Sequence, residues 1–222
     1  MAFIGHAVLL LCLLAPSAWM IATVPPLWRD VDAYIQLTQD PRLTTFWGHG
    51  PAYGYVAKIP LFLGEQWERW RGMAVVAPES GVSTLTDTGV WLLIIAQHIA
   101  LAGSALYFIR AITGLFWIRL ALAVGWASNT VFYTFAHCLG SETLSLILVV
   151  FFVAKGLKLV QSHDDARWTD WCVFAIGLWL CLLSRQVNAM FILLLPAAFF
   201  LSSIQNLISS YIAADNEQRR RL

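Results

Sequence analysis

A chain of 222 residues that is 59% hydrophobic and 12% charged, with a mean hydropathy of +0.68, carries about half the charge of an ordinary soluble domain. That composition excludes a soluble globular enzyme and implies a multi-spanning membrane protein, whose backbone polar groups must be satisfied within the chain. The net charge of +1 by itself says nothing about nucleic acid, but no basic patch alternates with aromatics, so no nucleic-acid partner is expected. The cysteines Cys12, Cys138, Cys172 and Cys181 have neither metal-type nor paired spacing and read as small apolar fillers.

Phe3–Val24 is an apolar run long enough to cross a hydrocarbon core about 30 Å thick. Pro16 is tolerated as a kink, and with no basic segment before it the run reads as a retained first span. Pro25-Pro26 ends it and opens a loop over residues 25–88. Within this loop Asp30–Gln39 predicts a short helix, and Ala52–Trp70 carries a one-sided apolar stripe interrupted by Pro60. Both are expected to lie on the membrane surface. Val75–Gly89 reads as a plain connector. Further spans are expected at Val90–Ile112, Leu115–Phe135, Thr143–Val160, Asp170–Leu183 and Val187–Ile212. The fold class is therefore all-α integral membrane, a single domain over 1–222 with six spans and a long external first loop.

Charge orients this arrangement. With the N-terminus inside, the short inner connections and the tail hold eight basic residues: Arg110, Arg119, Lys155, Lys158, Arg167 and Arg219 to Arg221. The short outer connections hold one, Arg185. The long loop is discounted, because long loops translocate largely regardless of charge. Trp28, Trp67, Trp70 and Trp91 then fall near the outer boundary, and Trp117, Trp168 and Trp171 near the inner one.

On this topology the outer side collects Asp30, Asp32, His49, His137, Glu142 and Arg185 from every external connection, which predicts one charged pocket at the outer boundary. Each residue also has a plain structural reading. Asp30 and Asp32 can be a solvated helix end or a cap, Ser141 and Glu142 the start of the fourth span, and Arg185 a snorkelling side chain. His49 and His137 read more readily as structural, and His98, within the second span, as a helix-packing hydrogen bonder rather than a proton relay.

Asp30-Val31-Asp32-Ala33-Tyr34 just past the first span, Ser141-Glu142-Thr143-Leu144 opening the fourth and Ser184-Arg185-Gln186 ahead of the sixth together resemble the GT-C superfamily of integral-membrane glycosyltransferases. The resemblance covers the chain as an N-terminal module. It implies transfer of a sugar from a polyprenyl-phosphate carrier to a glycan, lipid or protein acceptor, in a multi-pass protein of a bacterial inner membrane with its site facing outward. Asp30 or Asp32 is the expected catalytic base, and the spacing to Tyr34 favours Asp30. Arg185 is expected to meet the lipid phosphate, with Tyr34, His49, His137 and Glu142 as further substrate contacts. Some relatives use a divalent metal, although no ligand cluster is evident here. A transporter or flippase and a non-catalytic membrane subunit are the alternatives. Convergence of Asp30 or Asp32, Glu142 and Arg185 on one outward cavity would favour the enzyme.

Overall fold

The computed structural model describes residues 2–28, 52–73, 75, 85–161, 167–185 and 188. Met1–Gln186 forms one compact unit and Val187–Leu222 a second, of which Asn188 alone is described. Apart from Asn188 the expected span Val187–Ile212 thus lies outside the described residues, as does the expected helix Asp30–Gln39. Among the described residues the fold is helical, with one two-residue strand pair.

Helix α1 (Ala2–Thr23) is apolar throughout, with Pro16 inside it. Leu9, Leu13, Ser17 and Met20 are buried, while Ile4, Val8, Leu11 and Trp19 are exposed. The buried set recurs every three or four residues and so forms one stripe; the opposite face is equally apolar, the pattern of a helix with lipid for solvent. After α1 the chain forms β1 (Leu27–Trp28).

Helix α2 (Ala52–Trp70) runs unbroken through Pro60. Helix α3 (Asp87–Ile112) is the centre of the bundle and packs against α1 and α2, and against the next three helices. It begins three residues earlier than the apolar run suggests, because Thr86 caps it by accepting the Gly89 N–H at 3.1 Å. Helices α2 and α3 lie antiparallel: Tyr53 meets Gln97 at one end and Glu68 meets Thr88 N–H at the other. Their crossing is backbone against backbone. A Cβ on Gly64 would stand 2.2 Å from Gly89 Cα, so only glycine fits. The buried face of α2 (Tyr53, Ala57, Leu61) joins Val90, Leu93, Ile94 and Leu139 in one core cluster. The surface stripe expected of 52–70 is therefore only half of this helix: Tyr55, Ile59, Phe62 and Trp67 are exposed, but the opposite side is docked on α3.

The expected third span is two helices, α4 (Phe116–Ala127) and α5 (Thr130–His137). The cause is local. Ser128 Oγ donates to Val124 O at 2.8 Å and Asn129 Oδ1 accepts the Val131 N–H at 3.2 Å, so the polar side chains take backbone partners and the helix restarts. Strand β2 (Cys138–Leu139) pairs in parallel with β1, Leu27 with Cys138 and Trp28 with Leu139. Helices α6 (Ser141–Gln161) and α7 (Trp168–Ser184) complete the described part. Among the described residues three helices are long and apolar enough to cross a membrane: Ile4–Thr23, Asp87–Ile112 and Ser141–Gln161. Phe116–Ala127 and Trp168–Ser184 are apolar but shorter.

Candidate functional site

One set of polar groups in the first unit gathers around the N-terminal end of α6. Glu142 lies in the first turn of α6, and Arg185 is the residue that ends α7. A carboxylate at a helix N-terminus and a cation at a helix C-terminus each complement the helix dipole, so the two helix ends favour the charges they carry. Arg185 Nη1 and Glu142 Oε1 are 3.2 Å apart, with the side chains 29% and 11% exposed. Arg185 Nε is buried and has no hydrogen-bond partner among the described residues. The guanidinium thus keeps donor capacity beyond its ion pair. Gly140 gives the carboxylate its room, since a Cβ there would lie 2.6 Å from Glu142 Oε2.

Beside the ion pair stands a neutral network. Tyr53 Oη donates to Gln97 Oε1 at 3.1 Å, and Gln97 Nε2 donates to Ala136 O and Cys138 O at 2.9 and 3.1 Å. Thr143 Oγ1 donates to Phe135 O. These bonds tie the start of α2, the middle of α3, the end of α5, β2 and the start of α6 together. Burial raises the Tyr53 hydroxyl above the usual phenol range; the Gly140 N–H opposes this and the Glu142 charge adds to it. Tyr53 therefore stays a neutral donor.

His137 is fully buried and faces a different chain of bonds. His98 Nδ1 lies 3.0 Å from Ser17 Oγ, His98 Nε2 lies 3.2 Å from His137 Nδ1, and His137 Nε2 lies 2.9 Å from Val24 O. A carbonyl oxygen only accepts, so His137 Nε2 donates to Val24. In a neutral ring its Nδ1 is then an acceptor, which obliges His98 Nε2 to donate and leaves His98 Nδ1 to accept the Ser17 hydroxyl proton. Every donor points toward Val24, and α1, α3 and α5 are joined at the outgoing end of α1. Both ring nitrogens of His137 are engaged inside the protein.

Of the residues singled out from the sequence, Glu142 and Arg185 come together, and His137 lies at the end of α5 within the adjoining network. Asp30, Asp32, Tyr34 and His49 lie outside the described residues. Among the described residues no group of three His, Cys, Asp or Glu side chains is placed to hold a metal. Tyr53, Gln97 and Ser17 went unnoticed in the sequence. The Gln97-His98 dyad inside an apolar run was a usable signal, because polar side chains within a span need partners; nothing local marked Tyr53 or Ser17. No protein-family model, curated protein or solved structure matches the chain.

Proposed function

We propose that the chain is a six-span membrane module of a GT-C-type glycosyltransferase, which moves a sugar from a polyprenyl-phosphate carrier to an acceptor on the outer side of the membrane. The supporting observation is the Glu142–Arg185 pair, built from the opposite ends of two apolar helices and close to where the first apolar helix ends. The parallel register matters here: the end of β1, after which the sequence runs on to Asp30 and Asp32, lies beside the end of β2, after which it runs on to Glu142.

In this reading the acceptor hydroxyl oxygen attacks the anomeric carbon of the donor sugar. Its proton passes to the carboxylate of Asp30 or Asp32, and the bond from the anomeric carbon to the phosphate oxygen breaks with its electron pair staying on the phosphate. Arg185 meets that growing charge. Its remaining N–H groups suit a phosphate oxygen, while Glu142 holds the guanidinium in place. Glu142 is thereby a positioning residue, and Gly140 is what permits its position.

The test is turnover of a labelled polyprenyl-phosphate sugar in membranes, comparing the native chain with Asp30→Asn and Asp32→Asn. One of the two should insert normally and lose roughly 10²–10⁴-fold in rate; full activity in both removes the carboxylate base. Arg185→Lys supplies the second arm. Lysine keeps the charge but not the forked donor geometry, so donor affinity should fall by about 1.5–3 kcal/mol, which is roughly ten- to a hundred-fold. Unchanged donor binding returns Arg185 to the helix end as a structural cation.

A further inference from the structure

Helix α2 stands beside α3 in a definite register. Tyr53 Oη meets Gln97, ten residues into α3, while Gly64 packs on Gly89 and Glu68 Oε1 accepts the Thr88 N–H at the start of α3. Between these points Tyr53, Ala57 and Leu61 share a core cluster with Val90, Leu93 and Ile94. Helix α2 is therefore held alongside the first part of α3 and does not lie across its end. Ten residues of α-helix rise about 15 Å, half of a hydrocarbon core about 30 Å thick, and α3 is long and apolar enough to cross such a core. The Tyr53 end of α2 thus stands near mid-depth, and the Trp70 end near the level where α3 begins.

The side chains of α2 follow that depth. Its outward face at the deep end is Tyr55, Val56, Ile59, Phe62 and Leu63, 48–65% exposed and without a charge among them. Within 52–64 the one charge is Lys58, half-buried and off this face, on a stem long enough to carry its amine to polar surroundings. Glu65, Glu68, Arg69 and Arg71 follow together, with Trp67 and Trp70 among them. Apolar side chains first, then aromatic and charged ones at the level of the α3 N-terminus, is the order of hydrocarbon and then headgroups. A helix lying in the headgroup plane would carry its charges along its whole length. Backbone N–H groups at a helix start lack intrahelical partners, and at such depth they must be enclosed by protein; Ala52, Tyr53 and Gly54 are buried.

We infer that α2 is an inserted half-span: it stands in the membrane leaflet that holds the start of α3, and the acyl chains of that leaflet cover its Tyr55, Val56, Ile59, Phe62 and Leu63 face. The partner of this surface is lipid hydrocarbon, and the helix expected to lie on the membrane stands within it. The inference rests on the α2–α3 register and on the order of side chains along α2, and does not depend on the glycosyltransferase reading.

The experiment uses the full chain in phosphatidylcholine vesicles, with a ketone-bearing amino acid placed singly at the exposed positions 55, 59, 62 and 66 and coupled to a nitroxide, so that the native cysteines stay. Collisions with lipid-soluble oxygen and with a water-soluble nickel chelate then give each label's depth. Depth should increase from 66 to 55 by about 1.5 Å per residue, with oxygen favoured over nickel at 55 and 59. Equal depths at all four positions overturn the proposal, since the helix then lies flat in the headgroup layer. So does ready access of nickel to 55 and 59, which puts the face in water, and so does exclusion of both reagents, which puts protein over it. A second readout needs no label. Ile59→Arg should lower Tm in phosphatidylcholine nanodiscs by roughly 5 °C or more, while Trp70→Arg changes it little; equally small effects of the two overturn the insertion.

Discussion

The two ends of α6 carry charge in opposite ways. At its start a carboxylate meets a guanidinium across a helix junction, beside a closed set of hydrogen bonds from Tyr53 and Gln97. At its end Lys158 shares its surroundings with Arg110 and Arg119. The α6 dipole favours both arrangements, a negative group in the first turn and positive groups in the last. The difference lies in what holds each end. The Glu142 end is organised by an ion pair and the bonds beside it, and one substitution disrupts it. At the Lys158 end the ammonium lies over the Tyr107 ring among cations of like sign.

The largest blow to the Glu142 end comes through the α2–α3 crossing. Gly64→Ala pushes a methyl into the Gly89 backbone and should cost about 3 kcal/mol, the upper part of the overpacking range. Thermal unfolding would read the cost, and the fluorescence of Trp67 and Trp70, whose rings are 5.2 Å apart, would follow the release of α2. Unchanged stability would mean that the two backbones do not touch.

Next comes the ion pair. Arg185→Ala leaves the Glu142 carboxylate, only 11% exposed, without its guanidinium. The expected loss is about 2–3 kcal/mol, below that of a fully buried pair because Arg185 is partly exposed. The Glu142→Ala/Arg185→Ala double variant should lose less than the sum of the singles. Additive losses would show that the two side chains do not interact. At the other end of α6, Arg110→Gln should stay within about 0.5 kcal/mol in neutral lipid, which sharpens the contrast.

The histidine chain is third. His98→Leu strands the Ser17 hydroxyl and His137 Nδ1 together, for about 1–3 kcal/mol. His98→Leu/His137→Leu should cost less than the two separate losses, since an apolar pair leaves fewer groups unmet. A double variant as costly as the sum would mean that the two rings act independently.

The smallest effect is one of pH. The Thr88 backbone N–H holds the Glu68 carboxylate below its ordinary value of 4.5, with the Thr88 side chain adding to it. The folded-state value is the depressed one. Its stabilisation is therefore complete above pH 4.5 and is lost as pH falls through the lower, folded value. Hydrogen exchange at Thr88 should accelerate in that acid window, and Glu68→Gln should abolish the pH dependence while leaving the exchange uniformly faster. A profile that is flat in the native chain would remove Glu68 as an acceptor at the start of α3.

How much of this was legible beforehand can be argued from a few residues. Hydropathy located the helices 2–23, 87–112, 141–161 and 168–184 to within a few residues, because a run of apolar side chains in lipid has no backbone choice but the helix. It joined α4 and α5, since Ser128 and Asn129 are too few polar residues to interrupt a hydropathy average although they suffice to cap a helix. It placed Glu142 and Arg185 at helix ends on one side of the bundle, through alternation of spans and the bias of basic residues. The acidic motif at Asp30 and Asp32 was legible as a motif, and its residues lie outside the described part of the structure.

The sequence by itself determined which segments are helical, where most of them end, and that α6 runs from an acidic start to a basic finish. Tertiary structure alone decided which apolar face meets protein and which remains exposed. A leucine toward lipid and a leucine toward a neighbouring helix look the same to any hydropathy pattern, so nothing in 52–70 announced that Gly64 would rest on Gly89 or that Tyr53 would reach Gln97. The same holds for Ser17, His98 and His137, separated by 81 and 39 residues along the chain. In an apolar medium an unsatisfied polar group is costly enough to require a partner, but the sequence does not say which one. The packing of α1, α3 and α5 makes that choice.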